Sequence, residues 1–142
     1  MNTERVRTLL IPALRDPNRK QTRGALRRIG ARDFGYQDGD CCLGVACDVS
    51  GLGEWGQEPE YEDAIAYLIV DPETGDVYDS QTEDLPGPVR EFYGFPDVGG
   101  GEVSIDGVNK PLWEHNDEGA TFAQIADALE ALCDELDGVN RG

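Results

Sequence analysis

Charge is segregated along this chain, and any fold it adopts must answer to that. Residues 1–32 hold nine of the twelve basic residues against only Glu4 and Asp16, a local charge of +7. Residues 33–142 hold Arg90, Lys110 and Arg141 against 27 acidic residues, a local charge of −24. Opposite charges on one short chain meet at high effective concentration, so the arm is expected to fold back on the body. Otherwise it stays available to an anionic partner. The total of −17 argues against membrane docking or direct nucleic-acid binding by the acidic body, since both need a positive surface.

With 142 residues, 39% of them hydrophobic, the chain can bury a core without disulfides or a structural metal. It reads as a single α+β domain over residues 1–142, a basic segment (1–32) leading an acidic body (33–142). No segment approaches the roughly 18 apolar residues of a membrane span. Leu9-Leu10-Ile11, broken by Pro12, lacks the apolar region of a secretory signal. The four cysteines are therefore expected as reduced thiols in a cytoplasm.

Apolar spacing places the elements. Thr3 to Leu14 reads as a short amphipathic helix that Pro12 should stop or kink. Gln21 to Ile29 fits either a helix or a short strand. Asp33 to Asp40 reads as a loop anchored by Phe34 and Tyr36, Cys41 to Val49 as a helix of small residues, and Gly51 to Glu62 as a loop around Trp55. Ala64 to Val70 is the clearest strand, turning through residues 71–76 into Val77-Tyr78. A short helix is expected over Pro86 to Tyr93, a flexible tip at Val98 to Gly101, and a second hairpin around Asp106-Gly107. The last helix is the plainest: Thr121 and Gln124 form a capping box, and Phe122, Ile125, Ala126, Leu129, Leu132, Cys133 and Leu136 repeat at helical spacing up to Gly138. Together these give helices packed on a small antiparallel sheet.

Cys41-Cys42-Leu43-Gly44-Val45-Ala46-Cys47-Asp48 is the segment with chemical potential. A thiol at the start of a helix gains acidity from the helix end, so Cys41 or Cys42 could be a nucleophile with His115, the single imidazole, as base. Cys41, Cys42 and Cys47 with His115 or Cys133 could also be metal ligands, although the paired knuckle spacing of structural zinc is missing. The third reading, which we prefer, is that these are small buried residues permitting close helix packing. Neither a metal nor a cofactor is expected. Gly99-Gly100-Gly101 lacks the Lys-Ser/Thr of a phosphate loop, and Asp38-Gly39-Asp40 lacks the remaining ligands of a calcium loop.

Two stretches carry a resemblance. Ala13-Leu14-Arg15 through Gln21, Gly24 and Leu26-Arg27, followed by Cys41-Cys42-Leu43-Gly44-Val45-Ala46-Cys47-Asp48, is similar to a pattern in small uncharacterised proteins of tailed bacteriophages, many from actinobacterial hosts. Leu85-Pro86 through Gly94, and Leu112 through Glu130 with Asn116-Asp117, Gly119, Thr121-Phe122 and Ile125-Ala126-Asp127, extend it. Asp40 departs from the pattern, standing where those proteins have an aromatic, and His115 departs from an aliphatic position. The resemblance implies a phage protein working in the host cytoplasm and implies no particular activity. The Asn116-Asp117 pair is expected to brace the start of the last helix.

These readings lead to a non-catalytic phage accessory protein that binds a host or phage macromolecule, such as a host-defence or nucleic-acid-handling protein, through its acidic surface. Clustering nominates Glu58, Glu60, Glu62 and Asp63 with Arg19, Lys20 and Arg23 as contacts. The alternatives are a small cysteine hydrolase using Cys41 or Cys42 with His115, and a homo-oligomer that sequesters a nucleotide signal with its basic arm.

Overall fold

The apolar run Ala64–Val70 forms strand β4, the axis of the main sheet, in a computed structural model that describes residues 1–30, 37–57 and 63–138. Its β-branched and aromatic side chains suit a pleated surface buried on one face, and Ala64, Ala66, Tyr67 and Ile69 are buried. One edge of β4 pairs antiparallel with β3 (Glu54–Gln57). Its other edge is shared end to end by two strands. The short β1 (Arg27–Arg28) faces Ile65 and Ala64, while β5 (Val77–Gln81) faces Tyr67 to Val70. The Leu26 N–H donates to the Thr82 carbonyl at 2.7 Å and joins these two segments. A fifth strand, β2 (Gly39–Asp40), lies on the outer edge of β1.

The loop expected over residues 51–62 contains strand β3. Trp55 meets Tyr67 edge-on, with ring centroids 4.9 Å apart. A Cβ on Gly53 would lie 2.2 Å from the Leu68 carbonyl oxygen, and one on Gly56 would lie 2.5 Å from Leu68 Cδ1. The glycines that make the segment read as a loop are thus sites of close strand approach. Residues 21–29, left open between helix and strand, resolve into β1. The expected anchors Phe34 and Tyr36 lie outside the described residues.

Helices cover the sheet. Thr3–Arg5 (α1), a π-helical turn over Val6–Leu10, and Ile11–Leu14 (α2) follow one another as a continuous rod. Pro12 does not end it. Proline offers no N–H to the Thr8 carbonyl and its ring crowds that oxygen. The wider turn just before it, in which the Ile11 N–H reaches back to the Val6 carbonyl, accommodates the mismatch. Val6, Leu10, Ile11 and Leu14 are buried, packing the rod against α3 (Cys42–Ser50) and α6 (Phe122–Gly138).

Helix α3 is the centre of the core, with every residue from Cys42 to Cys47 buried. A Cβ on Gly44 would sit 1.9 Å from the Leu26 carbonyl oxygen, so only glycine lets α3 lie this close to the segment entering β1. Helix α4 (Gly87–Tyr93) ends at Gly94, in the left-handed region. Strands β6 (Glu102–Ile105) and β7 (Val108–Pro111) form the second hairpin, and Asp106 and Gly107 both have positive φ, as a tight type I′ turn requires. Helix α5 (Leu112–Asp117) has no counterpart in the sequence reading.

The capping box of α6 forms reciprocally. Gln124 N–H donates to Thr121 Oγ1 (3.1 Å), and Thr121 N–H donates to Gln124 Oε1 (2.9 Å). Leu136 does not join the core, being 55% exposed. The Gly99-Gly100-Gly101 tip is instead buried. A Cβ on Gly100 would press on Leu112 and Leu43. Helices on a small antiparallel sheet make this an α+β protein, as the element pattern leads one to expect.

Candidate functional site

Behind the start of α3 lies a buried polar hub that the sequence does not announce. Asn116, fully buried on α5, accepts at Oδ1 from the Cys42 backbone N–H (3.1 Å) and from Gln21 Nε2 (2.8 Å). Its Nδ2 donates to the Thr22 carbonyl (2.8 Å) and to Asp117 Oδ1 (3.3 Å). Gln21 also donates to the Ala120 carbonyl and accepts from the Phe122 N–H, the first of α6. Asn116 therefore braces α3, and Gln21 joins the capping box in serving α6. The expected role of Asn116-Asp117 at the last helix is corrected accordingly, because Asp117 Oδ1 accepts from the Gly24 N–H.

The thiols are part of this packing. Cys41 occupies the N-cap of α3, where Sγ accepts from the Gly44 N–H at 3.4 Å. The Cys42 thiol donates to the Leu112 carbonyl at 3.5 Å. Burial pushes the Cys41 thiol up to about 12, against weaker opposition from the Gly44 and Leu43 backbone, and pushes Cys42 and Cys47 up as well. A helix N-terminus can acidify a thiol, but here desolvation wins. His115, buried on α5, donates from Nε2 to the Val103 carbonyl at 2.7 Å, and no hydrogen bond joins it to either thiol among the described residues. The nucleophile-base pairing needed by a cysteine hydrolase is not made in this arrangement. All four cysteines are buried and free, and among the described residues no group of three His, Cys, Asp or Glu is placed to hold a metal.

Much of the basic arm is consumed internally. Arg27 donates to both carboxylate oxygens of Asp40 (2.7 and 3.0 Å), lies 3.4 Å from Asp48, and stacks 4.0 Å over the Trp55 ring. Arg19 closes the ring, 3.1 Å from Asp48 and 3.7 Å from Asp40. Burial alone would raise the Asp48 carboxyl. Hydrogen bonds from Trp55 and Arg19, with the charges of Arg27 and Arg19, hold it below the ordinary carboxylate range. Arg28 pairs with Asp63 at 2.6 Å, Arg7 with Asp134 and Asp137, and Arg15 with Asp127 and Glu130. The arm is docked, and Asp40, which departs from the resembled pattern, is the acid that receives Arg27.

The nominated contact residues divide. Arg19 and Asp63 belong to internal ion pairs; Glu58, Glu60 and Glu62 lie outside the described residues. Lys20 and Arg23 are exposed and form no ion pair among the described residues. Arg23 borders a cleft of about 510 Å³ walled by Gln21, Thr22, Gln37, Gly119, Ala120 and Thr121. A second cleft, about 390 Å³, has Glu83, Asp84 and Asp117 beside Trp113, with Cys41 in its wall. Sequence reasoning missed Gln21, Thr22 and Trp113, because what gives them a role is neighbours distant in the chain. Comparison of the chain with protein-family models, with curated proteins and with solved structures gives no match.

Proposed function

We propose that this chain is a non-catalytic accessory protein of the bacteriophage type that binds a basic macromolecular partner, a protein that itself handles nucleic acid, through its acidic surface. The observation that carries this reading is the docking of the arm. Five arginines (Arg7, Arg15, Arg19, Arg27 and Arg28) meet seven carboxylates within the molecule. The net charge of −17 is therefore not offset by a free cationic segment over these positions. Surplus acids stand outward, among them Glu73 and Asp76 at the β4–β5 turn and Glu83 and Asp84 beside the half-exposed Trp113. Such a surface attracts positive partners over a distance and imitates the charge of a phosphate backbone.

The test is a tagged chain used to retrieve a partner from host lysate, followed by affinity measurements across a salt series. A charge-led contact weakens steeply as salt rises. The paired change Glu83→Lys with Asp84→Lys should weaken it further at low salt. A partner held equally well at low and high salt overturns the reading.

A further inference from the structure

We propose that the cleft lined by Trp113, Glu83 and Asp84 receives an arginine side chain of the protein partner. The proposal rests on the reading above that the partner is basic, and it gives that partner a point of contact. The cleft measures about 390 Å³, within the roughly 300–1,000 Å³ of small-molecule sites.

Trp113 is the anchor. It stands in the first turn of α5 and is 42% exposed. A Cβ on Gly99 would lie 2.7 Å from Trp113 Cδ1, so the indole is seated against bare backbone on one side and open to solvent elsewhere. Val98, equally exposed, precedes that glycine and extends the apolar surface. A large ring held in place yet left in water is the type of residue on which interfaces concentrate their binding energy.

The acids beside it are placed by the backbone. The Thr82 carbonyl accepts from the Leu26 N–H (2.7 Å), and the Leu85 N–H donates to the Val98 carbonyl (2.9 Å). Glu83 and Asp84 thus sit on a short span tied at both ends. Both are exposed, and neither forms an ion pair among the described residues. Asp117, on α5 with Trp113, is fixed by accepting at Oδ1 from the Gly24 N–H (2.9 Å) and Asn116 Nδ2 (3.3 Å).

The molecule itself shows what a ring flanked by carboxylates holds. Arg27 lies 4.0 Å over Trp55 while it bonds Asp40 and approaches Asp48, and Arg5 lies 4.2 Å over Phe92. Around Trp113 the ring and the carboxylates are in place, and among the described residues no cation lies over the ring. A planar guanidinium stacks on an indole and donates a fork of N–H bonds to a carboxylate. The compact ammonium of lysine fits such a site less well.

The experiment is an NMR titration of the full chain with three capped tripeptides, acetyl-Gly-X-Gly-amide, in which X is arginine, lysine or citrulline. The Trp113 indole N–H and the amides of Gly24, Glu83 and Asp84 are followed. The arginine peptide should shift them saturably. Citrulline, which keeps the shape and loses the charge, should not, and the lysine peptide should bind about fivefold more weakly. Trp113→Leu keeps an apolar contact for Gly99 and removes the ring, and should also weaken arginine binding about fivefold. Glu83→Gln with Asp84→Asn should weaken it about tenfold. Glu4→Gln with Glu135→Gln, removing two exposed carboxylates outside the cleft, should leave it unchanged.

No saturable shift, equal binding of the citrulline or lysine peptide, equal weakening by the two charge-removing pairs, or undiminished binding by Trp113→Leu would each overturn the proposal. Trp113→Leu tested on the retrieved partner keeps the two readings apart. A salt-sensitive partner indifferent to Trp113→Leu overturns the arginine site and leaves the acidic surface standing. A partner weakened by Trp113→Leu but indifferent to salt supports the site and overturns the charge-led reading.

Discussion

The side chain of Asn116 holds the backbone N–H of Cys42, 74 positions earlier in the chain, at 3.1 Å and away from solvent. One amide thereby fixes the start of the central helix, the segment at Thr22 and the Gln21 side chain that serves α6. Removing it leaves several buried donors and acceptors without partners. Asn116→Ala is expected to cost about 2–4 kcal/mol, measured by urea unfolding. A variant as stable as the parent would show that the hub is not a structural centre.

The buried thiols make the protein sensitive to alkali. Cys41 titrates near 9.0 when free and near 12 in the fold, chiefly through burial. The unfolded chain therefore loses this proton first as pH rises, so stability is undiminished below pH 9.0 and falls progressively toward pH 12. Urea midpoints measured from neutral pH into this range should decline. At neutral pH the same thiols should react with iodoacetamide more slowly than a free cysteine peptide does. Faster labelling of Cys41 or Cys42 would restore the hydrolase alternative.

The docked arm is held unevenly. Arg27 is shared between Asp40 and Asp48 under Trp55, with side-chain exposures of 24% for Arg27 and 10% for Asp40. Arg15 meets Asp127 with exposures of 42% and 74%. Arg27→Ala should cost about 2–4 kcal/mol, because it leaves the buried Asp40 carboxylate with only the more distant Arg19, at 3.7 Å. Arg15→Ala should cost less than about 1 kcal/mol. The lowered Asp48 carboxyl adds an acid limb: its contribution is present above the ordinary carboxylate range and is lost as pH falls through its depressed value. Asp48→Asn should flatten that limb in acid denaturation curves.

Two glycines should behave very differently when replaced by alanine. At Gly44 the new methyl would sit 1.9 Å from the Leu26 carbonyl oxygen, so Gly44→Ala should cost about 3 kcal/mol or more and is expected to impair folding in expression trials. At Gly107 nothing lies within 4 Å, and only the positive φ is lost. Gly107→Ala should cost about 1 kcal/mol by thermal unfolding.

What was legible in the sequence was local. The α6 capping box, the apolar run of β4, the small-residue helix α3 and the Asp106-Gly107 turn are each specified within a few residues, and each is present in the fold. The misreadings have one cause. Gly53 and Gly56 look like loop residues until Leu68 is opposite them, and Gly99 to Gly101 look exposed until Trp113 closes over the first, Leu112 and Leu43 over the second and Pro96 over the third. Pro12 looks like a stop because the preceding π turn is a response of the backbone, not a pattern in the letters. Gln21 reads as an unremarkable polar residue, although its partner at Phe122 lies 101 positions away. Charge segregation was plain from composition, but the pairing of arginines with acids was not.

Synthesis runs from one side of these contacts to the other. The rod at residues 3–14 leaves the ribosome early, yet Thr3 meets Asp137 and Arg7 meets Asp134 only once the last helix exists, 134 and 127 positions later. Until then the rod is a cationic amphipathic segment whose apolar face lacks the cover of α6, a state that favours off-pathway association. The rod is thus seated in two stages along the chain, on α3 first and on α6 only after more than a hundred further residues are in place.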